Sequence, residues 1–338
     1  MRECDDGSFR IGRWLVLAVD GSRLKVPRTL KNERRFCKPK KTKARKQSKA
    51  QKRSRKAKRT KSSTRKRTRN NPRPEGPLMW LTMIWHVGQR LPWYWKIGPA
   101  YSSERHHVME MLQEREFPEN TLFCADGGYI GYDFWRSMHD QDHHFLMRVG
   151  SNVQLLKSLG YVRERNGIVY CWPQRKRTKK QLPLVLRLLH FKDARNNNMY
   201  LVTNLLKESL LSRRQAGEIY RRRWGIEIQF RSLKQTFGRT KLRSRTPERA
   251  TVELEWSLVG LWMIQLLAHK ERIKARDPDQ ITSIATVLRV VRQMMHRDKE
   301  VPKRTECFAK QLSQAVTDDY QRKSTKTSRD YPKQKGKK

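Results

Sequence analysis

Cysteine is scarce in this sequence, with five in 338 residues and no CxxC pair among them. Cys4, Cys37, Cys124, Cys171 and Cys307 lie far apart, and their number is odd. That argues against a disulfide framework and a zinc finger, and for a reducing cytosol. Long apolar runs are also lacking. The best candidate, from Leu78 to Trp95, is broken by His86, Gln89, Arg90 and Pro92. It cannot cross a bilayer, and no leader segment is visible, so no membrane partner is expected. Acids are the third shortage. Only 32 Asp and Glu stand against 77 Lys and Arg, for a formal charge of +45.

What remains is basic, but unevenly so. Lys31–Asn70 holds 21 Lys/Arg and one acid, Glu33, a net of +20. The rest of the chain therefore keeps +25 of the +45. A body that is basic outside its most basic segment implies a polyanionic partner. Charge alone suits a ribosomal-type RNA binder or a solubilising tail equally well. The length allows one large or two modest domains with a buried core.

Several stretches read as short strands that end in an acid. "RWLVLAVDGSRLKVP" (Arg13–Pro27) is an apolar run ending in Asp20, then a Gly-Ser turn, which predicts a hairpin. "NTLFCADGGYIGYDFW" (Asn120–Trp135) gives a second apolar strand ending in Asp126, followed by Gly127-Gly128 and a helix start. Between them, Lys31–Pro74 is low in complexity and cannot bury enough surface to fold alone. Pro77–Gly98 reads as two strands around a Gly-Gln-Arg turn, and Ser102–Glu114 as a serine-capped helix. His144–Gly150 and Met199–Leu206 are further strands, separated by strand-like pieces and basic turns over Ser151–Asn198.

Two long helices are expected next, Arg213–Phe237 and Pro247–Lys270, then an amphipathic helix over Ile281–Met295 and a Lys-rich tail. The predicted organisation is therefore first strands with Asp20 over 1–30, a basic disordered segment over 31–75, and a core piece with Asp126 over 76–150. A β-rich insertion over 151–198, a core piece with the glutamate helix over 199–272, and a C-terminal helix with basic tail over 273–338 complete it.

The first long helix carries an anomaly. "EIYRRRWGIEIQFRSLKQTFG" (Glu218–Gly238) is rich in cations yet keeps the carboxylate Glu227 among them. Ser212 and Gln215 form a capping box and Gly238 supplies a stop. At about 100° per residue, Tyr220, Arg223, Glu227 and Lys234 fall within a sector of roughly 60°, with Arg231 at its edge. A surface ion pair of Glu227 with Arg223 or Arg231 accounts for the helix taken by itself. The order strand–Asp20, strand–Asp126, helix–Glu227 points elsewhere, to a ribonuclease H-like two-metal site. Three carboxylates there can hold two Mg²⁺ about 4 Å apart for an in-line phosphoryl displacement. Other candidates are weaker. "MHDQDHH" (Met138–His144) fits no zinc spacing, and Trp80, Trp85, Trp93 and Trp95 suit core packing better than base stacking.

The spacing Tyr220-x2-Arg223-x3-Glu227-x6-Lys234 resembles the Y-R-E-K signature of insertion-sequence-4 family DDE transposases. "LAVDGSRLKVP" and "FCADGGYIGYDFW" resemble the two aspartate regions of that family, and "VELEWSLVGLWMIQLL" the helix after its glutamate. The resemblance implies an α/β fold, a ribonuclease H-like mixed sheet with flanking helices, interrupted by a β-rich insertion. It implies Asp20, Asp126 and Glu227 as catalytic ligands of two Mg (or Mn) ions, and Tyr220, Arg223, Lys234 and Arg231 as DNA contacts. It further implies cleavage and rejoining of DNA at element ends, a homodimer on DNA, and a bacterial cytoplasmic, nucleoid-associated location. Only nineteen residues precede Asp20, which implies that the family's N-terminal DNA-binding region is missing. A non-catalytic nucleic-acid-binding remnant is the alternative.

Overall fold

A computed structural model describes residues 9–38, 76–149, 160–173, 182–192, 196–274, 282–296 and 304–315. Nine strands among them form one mixed sheet in the order β3-β2-β1-β4-β5-β9-β8-β7-β6. β1 (Leu15–Lys25) is central, antiparallel to β2 (Leu78–His86) and parallel to β4 (Thr121–Ala125). β3 (Leu91–Pro99) pairs antiparallel with β2, and β5 (His144–Arg148) parallel with β4. The apolar runs read from sequence are the buried strands. β1, β2, β4 and β5 lie in the middle of the sheet, and residues such as Leu17, Ile84, Phe123 and Phe145 are almost wholly buried. Burying both faces of a central strand favours continuous apolar runs over alternation.

β6 (Gly160–Arg165), β7 (Ile168–Pro173), β8 (Leu184–Lys192) and β9 (Asn198–Thr203) are all antiparallel to their neighbours. Among the described residues, the β-rich stretch thus extends the sheet through β9 on β5. Helix α2 (Glu104–Glu114) and helix α3 (Tyr132–Asp140) contribute Val108, Met111, Leu112, Trp135 and Met138 to the core that also holds Phe123 and Phe145. The tryptophans at 80 and 85 are buried, so the packing reading of them holds.

Three expectations need correction. Asp20 does not end a hairpin strand, because β1 runs through it to Lys25 and pairs with β2 across the basic segment. The basic stretch was expected to be unfolded from Lys31, yet Leu30–Phe36 is a helix, α1. Thr29 caps it by accepting from Asn32 N, Asn32 Nδ2 donates to Pro27 O and Ser244 O, and Phe36 is buried. Residues 39–75 of that stretch lie outside the described residues. Third, the glutamate helix is not one helix. It is α4 (Arg213–Arg222), α5 (Gly225–Arg231) and a π turn (Ser232–Thr236). Between α4 and α5 the bonding tightens to i→i−3, with Ile226 N donating to Arg223 O and Glu227 N to Trp224 O. The two caps read from sequence are present. Gln215 N donates to Ser212 Oγ, and Gly238 stops the run at φ +67.

Helix α6 (Pro247–Lys274) follows, and Glu253 near its start accepts from Arg243 N and Ser244 N. The chain separates into two compact units, 1–263 and 264–338. In the second, α7 (Ile284–His296) packs on α8 (Arg304–Ser313), with Val287, Val290 and Leu312 buried. Among the described residues no helix is long and apolar enough to cross a membrane.

Candidate active site

The register of β1 and β4 places the two aspartates side by side. Leu15–Val19 pair with Thr121–Ala125 in parallel, ending at Val19 opposite Ala125. The next residue on each strand is an aspartate, Asp20 and Asp126, and parallel neighbours lie roughly 5 Å apart. This is the carboxyl end of parallel strands, where α/β sheets bind ligands. Each aspartate is held by a backbone amide just after it. Gly21 N donates to Asp20 Oδ1 at 2.8 Å, and Gly128 N to Asp126 Oδ1 at 2.8 Å.

Helix α5 packs on β1 and brings Glu227 to the same end. Glu227 Oε1 accepts from Arg223 Nη2 at 2.8 Å, and the Arg223 side chain is 8% exposed. The rest of that guanidinium is less well matched. Arg223 Nε and Nη1 are buried without a hydrogen-bond partner, and so is the Tyr220 hydroxyl beside it. Lys234 is half-buried in the π turn. Burial lowers its pKa, and the opposing effect comes from Asp20. Asp126, Tyr220, Arg223 and Glu227 share the wall of a cleft of ≈ 960 Å³ that also takes in Arg148 and Arg214. Arg231 is exposed and is not part of that wall. Of the seven residues singled out in the sequence, four line the cleft. Asp20 acts electrostatically on Asp126, Arg223 and Glu227 from beside it, Lys234 acts on Asp20, and exposed Arg231 stands aside.

One acid was not foreseen. Glu104, in the first turn of α2, lies against the backbone of Gly21 and Gly128, between the two aspartates. Arg148, on β5, was also missed. Burial first, then the charges of Asp20 and Asp126, push the Glu104 carboxyl up to about 7. Asp20 is pushed up to about 6, again by burial first, with Asp126 and Glu227 adding and Gly21 N–H and Arg223 opposing.

The donor set is carboxylate oxygen alone, which suits Mg²⁺ or Mn²⁺ rather than zinc. As the side chains stand, no three acidic, histidine or cysteine groups among the described residues converge into a closed ligand set. Glu227 is turned to Arg223, and Asp20 to the Gly21 amide. Even so, the mutual repulsion of Asp20, Asp126 and Glu104 is what a divalent cation neutralises, so these residues fit one.

A proton-linked effect follows for metal-free protein. Folded Asp20 keeps its proton to about pH 6, whereas the unfolded side chain releases it near 3.8. Between those values the folded state binds more protons, so stability falls as pH rises across the window. One group contributes a slope of at most about 1.4 kcal/mol per pH unit. In chelator, Asp20→Asn is therefore expected to flatten the fall in thermal midpoint between pH 4 and 6. Parallel profiles for variant and wild type would rule the effect out.

An antiparallel β3-β2-β1 ribbon continued by parallel β4 and β5, with acids just past the point where the parallel pairing of β1 and β4 ends, defines a ribonuclease H-like α/β protein. The chain belongs to the transposase DDE domain family, whose profile matches residues 79–263. That span contains Asp126 and Glu227, and Asp20 precedes it. Among curated proteins, the chain is similar to the transposase InsG for insertion sequence element IS4 of Escherichia coli (strain K12). The two are 24% identical over 212 residues, 59% of this chain and 46% of that protein. The chain thus spans less than half the length of that relative. Among solved structures, it overlays on a piggyBac transposase synaptic complex with hairpin DNA at a TM-score of 0.45 and 11% identity. The overlay covers 94% of this chain and 60% of that one.

Proposed function

We propose that this chain is a DNA transposase that cuts and rejoins DNA at the ends of an insertion sequence by metal-dependent phosphoryl transfer. The supporting observation is that Asp20 and Asp126 each follow the last paired residues of β1 and β4, Val19 and Ala125, beside Glu227 and a buried Arg223 with two unpartnered N–H groups. Asp20, Asp126 and Glu227 would hold two Mg²⁺ or Mn²⁺ ions. Such ions, when bound, stabilise charge on the attacking and leaving oxygens of an in-line displacement.

The side chains supply the rest. Arg223 Nε and Nη1 are buried donors that a phosphate oxygen can satisfy, and an arginine fork matches that geometry. The Tyr220 hydroxyl adds a third donor, and Lys234 a cation on the Asp20 side. In the first step a water oxygen bonds to phosphorus and the bond to the 3′-oxygen breaks. The water's proton ends on the 3′-oxygen, leaving a 3′-hydroxyl and a 5′-phosphate. The oxygen of that hydroxyl then bonds to a target phosphorus as the target's own 3′-oxygen leaves, and the hydroxyl's proton ends on that leaving oxygen. The substrate is DNA, both element ends and target, bound by a homodimer at the bacterial nucleoid. Arg148 and Arg214 extend the basic wall along which a backbone can run.

The test is nicking of a duplex carrying the element's ends, with Mg²⁺ or with chelator, by the wild type and Asp126→Asn. Cleavage by wild type in Mg²⁺, lost in chelator and in the variant, is the expected result. DNA binding with no cleavage in Mg²⁺ or Mn²⁺ would instead identify a non-catalytic nucleic-acid-binding protein.

A further inference from the structure

Glu104 has an ordinary explanation in its sequence position. An acid in the first turn of a helix interacts favourably with the helix dipole, and such a side chain normally stays in water beside the first amides. Glu104 is placed differently. A methyl group built on Gly21 would lie 2.9 Å from Glu104 Oε1 and 3.0 Å from its carboxyl carbon. One built on Gly128 would lie 3.4 Å from Glu104 Oε2 and 3.0 Å from Asp126 Oδ1. Neither glycine has a positive φ, so what each provides is room. The two oxygens of Glu104 therefore spread between the residue after Asp20 and the turn after Asp126.

A second feature points into the same space. Tyr129 ends the short 3₁₀ turn that Asp126 caps, and its side chain is completely buried. Its hydroxyl makes no hydrogen bond of full geometry; Glu104 is the carboxylate it donates toward, weakly, and Asp20 and Asp126 also act on it. Buried hydroxyls are almost always satisfied, by protein or by ordered water. One with three carboxylates around it suits a cation's water shell. Trp80 Nε1, 2.9 Å from the same Gly21 methyl position, is a buried donor without a partner there.

We propose that Glu104 is a fourth carboxylate of the divalent-cation site, binding Mg²⁺ or Mn²⁺ together with Asp20 and Asp126. The proposal rests on the two-metal reading of the site given above. It gives three anionic oxygen donors on the β1–β4 side of the site independently of Glu227, which is engaged with Arg223. Hard cations favour many oxygen ligands, carboxylates first.

Mn²⁺ binding to the full chain, read by electron paramagnetic resonance of the free ion, separates this role from a structural one. Thermal midpoints in chelator accompany each titration. Glu104→Gln is expected to weaken Mn²⁺ binding by at least about tenfold. Its midpoint in chelator is expected to hold or rise, because a like charge is removed. Wild-type Mn²⁺ affinity with a lowered chelator midpoint would show a helix-end acid and overturn the proposal. Should Glu104→Gln fail to fold, Glu104→Asp retains the charge and withdraws it by one methylene. It too must weaken Mn²⁺ binding, and wild-type affinity would overturn the proposal. Asp126→Asn distinguishes the two levels of the argument. If it loses Mn²⁺ and Glu104→Gln does not, only the fourth ligand falls. If wild-type protein binds no Mn²⁺, the metal reading of the site falls with it.

Discussion

Glu227→Gln is expected to reduce Mg²⁺-dependent strand cleavage by more than about a hundredfold, since even groups one step removed from a metal cost 10–100-fold. DNA binding should persist. The fold should persist as well, for a reason visible at Arg223. That guanidinium is buried and its one side-chain hydrogen bond goes to Glu227 Oε1. The amide oxygen of glutamine can still accept from Arg223 Nη2, so the stability loss should stay near 1 kcal/mol. Alanine would leave a buried charge with no partner, at a cost of about 3–5 kcal/mol, and would confuse folding with chemistry. Cleavage and binding are to be measured on the same duplex, beside a wild type that cleaves it. Wild-type cleavage by the glutamine variant would make Glu227 an ordinary ion-pair partner.

What the sequence revealed of this site follows how local each signal is. Asp126 was legible because the apolar run before it is the whole of β4 and Gly127-Gly128 follow at once. Asp20 was legible as an acid after an apolar run, but its place inside an eleven-residue strand was not. Its hydrogen-bonded neighbour on that side, β2, lies across the basic segment, and no local pattern records such a pairing. The face of Tyr220, Arg223 and Glu227 follows helical periodicity, although the helix itself breaks between α4 and α5. Glu104 was invisible. Its spacing to the other acids obeys no motif, and only the packing of α2 over two glycines brings it in. Helix α1 had a readable cap in Thr29 and an apolar residue in Phe36, but the surrounding charge masked both.

The break in the glutamate helix sets up the other large effect, at Gly225. Its φ is not positive, so the backbone would accept alanine, and helix propensity alone would favour it by about 1 kcal/mol. The neighbour decides otherwise. A methyl group there would lie 2.6 Å from Trp85 Cζ3 and closer still to Cη2. Trp85 is 3% exposed on β2 and cannot move aside freely. Gly225→Ala is therefore expected to destabilise the fold by about 1–3 kcal/mol through overpacking. It should also push the α4–α5 junction off the sheet, carrying Arg223 and Glu227 with it. A shift of about 1 Å in such groups costs roughly a hundredfold in rate, so cleavage should fall by that order in the protein that remains folded. Gly260→Ala is the control, since its nearest neighbour, Phe237 Cε1, is 3.8 Å away. It should leave cleavage alone and melt no lower than wild type. Trp85→Phe removes the ring atoms in the way, so combining it with Gly225→Ala should recover activity that neither additivity nor simple loss of packing predicts. If Gly225→Ala melts and cleaves as wild type, the contact with Trp85 does not set the position of Glu227.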